Sequence, residues 1–362
     1  MRREGMKVNT RPERSKMIKP LFYRSLSLLL VAPAILLLMA LTLGLTGISD
    51  RILVSMAEQT LQEVKKSLAT QIHDPSALEA AIELRKEEIY SSYGLDKPWF
   101  YRMFQMIIRI ATFDLGRTRV IKSFTGSQEV SEIILERIPN TILLVTIPLI
   151  FSAIAGISMG VKIASRPGTL LDRLTSYLSI ISYTLPSWWI GIILIILFGF
   201  YLKIFPVSGM YSIPPPSDTF SRILDLIWHS ILPFTTLVIV QIGGWIYSAR
   251  MIVLNIAQED YVNAARAKGL PEDIVRRRYI LRVAAPPIVT NIVLGLSGSL
   301  GGAIITETIF GWYGMGSLYY QAIMTLEENL LIALTYIYTL IYISARIILE
   351  IMYLALDPRV RY

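Results

Sequence analysis

Apolar residues in this chain gather into long unbroken runs, such as 142–149 and 188–202, while most charged residues fall in the stretches between such runs. A soluble chain of this length would break the same residues into amphipathic stripes. A hydrocarbon core of about 30 Å requires about 20 mostly apolar helical residues. The pattern predicts six spans of that kind, at 26–48, 138–161, 177–204, 230–251, 288–309 and 330–356. The expected fold class is therefore an all-α membrane protein with six transmembrane helices. The pattern changes after the first span. Between residues 56 and 91, Leu61, Val64, Leu68 and Ile72, then Leu78, Ile82 and Ile89, recur at helical spacing among charged neighbours, with a break at Asp74-Pro75. The segment 49–137 is thus expected to be an external helical insertion. Pro214, Pro215 and Pro216 exclude helix from the later stretch 211–216.

Composition agrees: 53% of residues are hydrophobic and only 17% charged, fewer than the quarter or so usual in soluble domains. Charge also orients the chain. Arg2, Arg3, Lys7, Arg11, Arg14, Lys16, Lys19 and Arg24 precede the first span, whose apolar stretch is longer than that of a cleaved signal. Lys162, Arg166 and Arg173 occupy one short loop, and Arg250, Arg266, Lys268, Arg276, Arg277, Arg278 and Arg282 another. The alternate short loops hold only Arg222 in one and no Lys or Arg in the other. By the excess of basic residues on the cytoplasmic side, both termini and the loop 252–287 are expected in the cytoplasm. The division that follows is a basic tail 1–25, a first span 26–48, the external segment 49–137, a membrane core 138–356 and a short tail 357–362. The same asymmetry accounts for the formal charge of +8 without a nucleic-acid partner.

The sequence offers little to catalysis. Cysteine is absent, and the two histidines, His73 and His229, are far apart. No Gly-rich loop ends in Gly-Lys-Ser/Thr, and no Ser/His/Asp group or carboxylate pair sits on a span. No catalytic, cofactor-binding or metal-binding residue is expected, and the chain is not expected to be an enzyme. Arg346 and Glu350, four residues apart in the last span, are expected to form an ion pair that eases two membrane charges.

The most informative segment is 258–270. Ala264, Ala265 and Ala267 favour helix, Glu259 and Asp260 suit its positive end, and Lys268 suits its negative end. Gly269 permits the left-handed turn that stops it, and Pro271 opens a second short helix whose Arg276, Arg277 and Arg278 should meet lipid phosphates or water. Such a helix could insert into a partner's groove as a rigid lever. An ordinary basic loop would carry the same residues.

The stretch Asp260 to Leu270 resembles the coupling loop, or EAA loop, of dipeptide/oligopeptide-type permeases of ABC importers, which reads close to Asp-Tyr-Val-x-x-Ala-Arg-Ala-Lys-Gly-Leu. Six further motifs occur in that family's order: Gly94-Leu95-Asp96-Lys97-Pro98, Asp114-Leu115-Gly116, Arg137-Ile138-Pro139-Asn140-Thr141, Leu185-Pro186-Ser187-Trp188-Trp189, Phe205-Pro206-Val207-Ser208-Gly209, and Glu307-Thr308-Ile309-Phe310 with Gly314-Met315-Gly316. The terminal Asp357-Pro358-Arg359-Val360-Arg361-Tyr362 completes the match. Tyr313 stands where the family commonly has Pro, and Thr118 where it has Ser.

The resemblance implies a type I importer permease. Glu259, Asp260, Tyr261, Ala264, Ala265, Arg266, Lys268, Gly269 and Leu270 would couple it to ATPase subunits. Its partners would be a second, paralogous permease, two cytoplasmic ATPases that use the ATP, an external binding protein and membrane lipids. No cofactor would be bound by this chain. Substrates of such permeases include oligopeptides, nickel chelates and oligosaccharides. Gln241, Asn291, Ser297, Gly298 and Ser299 are candidates for the translocation path. Gly295, Gly298, Gly301 and Gly302 are read as thinning the fifth span for helix packing. A stand-alone secondary transporter or channel would instead require inverted repeats, broken helices or a selectivity ring, none of which the sequence displays. A non-transporting membrane scaffold is the third alternative.

Overall fold

A computed structural model describes residues 23–356. The basic residues from Arg2 to Lys19 and the terminal motif Asp357 to Tyr362 lie outside the described residues. Among the described residues the backbone is nearly all helical, and the only strand-like pairing is an isolated bridge between Arg117 and Glu129. Five helices are long and apolar enough to cross a membrane: Tyr23–Thr42, Val130–Ala164, Thr219–Ala257, Glu272–Ser299 and Glu328–Tyr353. A sixth span is a bent pair, Leu170–Thr184 with Ser187–Tyr201. The all-α membrane class is the observed one.

Three spans differ in shape from expectation. The third, expected as one rod over 177–204, is two helices meeting at 94°. Pro186 has no amide hydrogen to donate and pushes Leu185 into an extended conformation (φ −76°, ψ 130°), which ends the first helix. A broken helix is therefore present after all. The fourth helix has 39 residues, about 58 Å at 1.5 Å per residue, and so projects well beyond the hydrocarbon. Its start is set by Asp218, whose carboxylate accepts from the Ser221 amide at 2.8 Å.

The fifth span starts earlier and stops earlier than 288–309. It begins at Glu272 and absorbs Pro286 and Pro287, so the second short helix expected after Pro271 is the foot of this span. It ends at Ser299, because Gly302 adopts φ +82° with its α-carbon close against Gly316, where a Cβ would lie 2.3 Å from the Gly316 nitrogen. Ile304–Ile309 is then a separate helix. Of the four glycines read as packing sites, Gly295 faces Trp245 and Leu149, while Gly298 faces open space.

The described residues separate into two compact units, one built on Arg137–Leu318 and joined by residues 23–29 and 340–356, the other on Leu30–Glu136 with Tyr319–Thr339. In the first, the second and fourth spans approach closely at Gly156 and Gly160. A Cβ at Gly160 would lie 2.5 Å from the Ile246 carbonyl oxygen, and one at Gly156 would lie 2.5 Å from the Trp245 Cβ. Leu144, Val145, Met210, Leu237 and Trp312 form one core cluster of this unit. The expected Arg346–Glu350 pair is not observed among the described residues; Glu350 instead accepts from Arg24 at 3.3 Å. Arg preceding Glu by four residues is the poorer orientation for a helical pair, which leaves Glu350 open to another cation. His229 is buried, with its Nδ1 2.8 Å from the Asp225 carbonyl.

In the second unit, Ile48–Gln71 and Pro75–Ser92 form a helical hairpin broken where Asp74-Pro75 predicts. Asp74 caps the second helix by accepting from the Ser76 amide at 3.3 Å. A further helix, Trp99–Ala111, packs against Val31–Leu45. Glu327 ties down the loop after it, its Oε1 accepting from the amides of Arg119 and Val120 at 2.8 and 2.6 Å. Residues 211–216 are irregular, as the prolines require.

Candidate functional site

The predicted lever is a helix, Asp260–Ala267. Glu259 stands before it in extended conformation, and its side chain makes no capping bond, so the two acidic residues act only through the helix dipole. The far end is closed by two backbone bonds: Gly269 donates to the Arg266 carbonyl at 2.9 Å, and Leu270 to the Ala265 carbonyl at 3.4 Å. This is a Schellman cap, which demands a left-handed residue at Gly269, where φ is +74°. Leu270 then packs back toward Ala265, as such caps usually arrange.

The helix has two different faces. Val262 and Ala265, three residues apart, are buried in a cluster with Ala164, Val253, Val275, Ile280 and Ala284. These come from the ends of the second and fourth spans and the foot of the fifth. Asp260, Tyr261, Asn263, Ala264, Arg266, Ala267 and Lys268 are exposed. Ala265, expected among the partner contacts, is thus an anchor, and Ala264 beside it is free to touch a partner.

Arg266 braces the base of this helix. Its Nη2 and Nε donate to the two Glu272 carboxylate oxygens at 3.1 and 3.3 Å, and its Nη1 to the Ala257 carbonyl at 3.3 Å. One side chain therefore spans the end of the fourth helix and the start of the fifth. The Glu272 hydrogen bond raises the pKa of the Arg266 guanidinium above its usual range, and partial desolvation raises that of the Tyr261 phenol. Tyr261 donates weakly to the Tyr279 carbonyl, at 3.4 Å. Asp273 pairs with Arg276 at 2.7 Å and Arg277 at 3.3 Å, so those two cations are partly neutralised within the chain. Asp273 stands three and four residues before Arg276 and Arg277, a helical ion-pair spacing readable in the sequence, whereas Glu272 pairs across a turn and carries no such signal.

Farther along the fourth and fifth spans, Asn291 donates to the Ser248 hydroxyl at 3.1 Å, joining the two helices. Gln241 keeps its side-chain oxygen buried without a hydrogen-bond partner. Ser297 is partly buried, whereas Ser299 is buried and bonded to the Thr146 hydroxyl at 2.9 Å. An ion pair that hydropathy does not reveal lies nearer the loop 252–287: Arg250 holds Asp172 through Nε at 2.5 Å and Nη2 at 2.9 Å, with Asp172 buried. It joins the bent third span to the fourth.

The motif residues of 137–141 and 307–317 also meet. Glu307 is fully buried and accepts from the Thr141 hydroxyl at 3.2 Å and the Ser317 amide at 2.7 Å. Trp312 donates to the Asn140 carbonyl at 2.9 Å, and Arg137 lies over the Tyr313 ring at 5.2 Å. Thr118 hydrogen-bonds with the carbonyls of Ile121 and Gln128. Among the described residues no group of three or more His, Cys, Asp or Glu is placed to hold a metal.

Six spans, counting the bent pair as one, with a short helix rooted in the ends of three of them and one of its faces exposed, define a multi-pass membrane protein. The chain belongs to the family described as binding-protein-dependent transport system inner membrane component, whose model matches residues 152–362. It is 31% identical over 277 residues to the oligopeptide transport system permease protein AppB of Bacillus subtilis, covering 76% of this chain and 85% of that one. Over 276 residues it is 31% identical to a putative peptide transport system permease protein of Brucella abortus (76% and 84% covered). Over 292 residues it is 28% identical to the oligopeptide transport system permease protein OppB of Mycobacterium tuberculosis (79% and 87% covered).

Proposed function

We propose that this chain forms half of the translocation path of an ABC importer for oligopeptides, with oligosaccharides as the second substrate class to test. The other half is a second, paralogous permease. Two cytoplasmic ATPases, which alone bind and use ATP, receive the Asp260–Ala267 helix in a groove, and an external binding protein delivers the solute. Both termini and the coupling loop face the cytoplasm, a placement supported by the excess of Lys and Arg in the loops on that side. The chain itself carries no catalytic group.

The observation that supports this reading most is the division of the coupling helix. Val262 and Ala265 fasten it to the ends of three spans, while Tyr261, Ala264 and Lys268 remain exposed. A push on the exposed face is thereby delivered to the spans. The names of the relatives supply the peptide. The broken third span is a feature that stand-alone transporters also use, and family membership weighs against that alternative.

Co-purification tests it. Removing residues 259–286 is expected to abolish retention of an ATPase subunit by the tagged chain. Undisturbed ATPase binding would overturn the reading.

A further inference from the structure

The helix Trp99–Ala111 has three faces where an ordinary surface helix has two. Met103 and Ile110, seven residues apart, are buried within its own unit. Arg102, Gln105 and Arg109 form a narrow polar stripe at the spacing of successive helical turns. Phe100, Phe104 and Ile108, four residues apart, form an apolar stripe that is open, with Phe104 62% exposed. Tyr101 flanks it and is also exposed.

Its surroundings fix which way the polar stripe points. Arg102 reaches into the loop and the hairpin, donating to the Gly94 and Lys97 carbonyls at 2.9 Å each and pairing with Asp50. The polar stripe is thus on the hairpin side. The helix begins at the outer end of the first span, where the Trp99 ring lies directly against Gly44, so close that a Cβ there would overlap it. Its far end reaches the last span, where the Phe113 ring packs tilted against Tyr336 at 5.9 Å between ring centres. Tyr336 lies eight residues into the helix Glu328–Leu356, about 12 Å from its start. Both ends of Trp99–Ala111 are therefore pinned at the margin of membrane-spanning helices. The helix it packs against, Val31–Leu45, likewise leaves Leu37, Leu38, Leu41 and Leu45 exposed.

We propose that Trp99–Ala111 is an interfacial helix, lying in the leaflet on the hairpin side with Phe100, Phe104 and Ile108 against lipid acyl chains. The arrangement of a polar stripe toward water, aromatic residues at the boundary and an apolar face below is what a helix in the plane of the membrane requires. Lipid, and not a soluble binding protein, covers the stripe.

The chain has no cysteine, so single nitroxide labels can be placed on it directly. Phe104→Cys and Ile108→Cys, each in the intact transporter in lipid nanodiscs, would be compared with Leu84→Cys on the exposed hairpin. Collision with oxygen relative to a water-soluble nickel chelate is expected to be several-fold higher at both helix positions than at Leu84. A ratio equal to that at Leu84 would mean water covers the stripe and would overturn the proposal. Shielding from both reagents would overturn it too, since it would assign the stripe to a protein partner.

Discussion

Gly269 shows how much one backbone angle can carry. An added Cβ would meet nothing within 4 Å, so space is not what restricts the position. Its φ of +74° is, because a side chain in the left-handed region costs about 1–2 kcal/mol, more for a β-branched one and less for Asn. The Schellman cap would yield first, and with it the register of Leu270 against Ala265. Gly269→Asn is therefore expected to retain most transport, Gly269→Ala less, and Gly269→Val least. Substrate-stimulated ATP hydrolysis in proteoliposomes gives the order. Equal activity for Val and Gly would show that the turn is dispensable.

Among the helices, the bent third span is held to the fourth by a charge pair that no helical pattern announces, since Asp172 and Arg250 are 78 residues apart. Asp172 is 2% exposed. Removing only its partner leaves a buried charge uncompensated, a loss of about 3–5 kcal/mol, whereas replacing both by apolar residues of like size is often neutral. Arg250→Ala is accordingly expected to lower the melting temperature of the purified chain sharply, and Asp172→Leu with Arg250→Met to restore most of it. A double variant as unstable as the single one would contradict this account. The contrast with the coupling helix explains what is legible in the sequence. Its start, its stop and the hairpin break at Asp74-Pro75 are set by adjacent residues, so local chemistry reveals them. The 94° bend at Pro186 is concealed because hydropathy averages the proline into the long, mostly apolar stretch 177–204. Gly156 and Gly160 do carry a signal, small residues four apart, but their partner at Ile246 is visible only in the fold. The Arg266–Glu272 brace spans a turn, where neither helical nor strand periodicity applies.

At the scale of the whole transporter, adjacent alanines on one short helix are expected to separate folding from the proposed coupling. Ala264 is exposed and Ala265 is 3% exposed, packed beside Val262 in the cluster that fastens the lever to the spans. A carboxylate at Ala264 would remain in water, and surface changes of that kind usually alter stability by no more than about 0.5 kcal/mol. The same carboxylate at Ala265 would be buried among apolar side chains without a partner, which is among the few changes that reliably destabilise. Ala264→Asp is therefore expected to leave the melting temperature of the isolated chain unchanged while reducing retention of the ATPase subunit and uptake together. Ala265→Asp is expected to lower the melting temperature as well. If Ala264→Asp retained the ATPase fully and transported normally, the exposed face would not be the contact. The force would then have to enter through the neighbouring Arg276 and Arg277, which Asp273 already partly occupies.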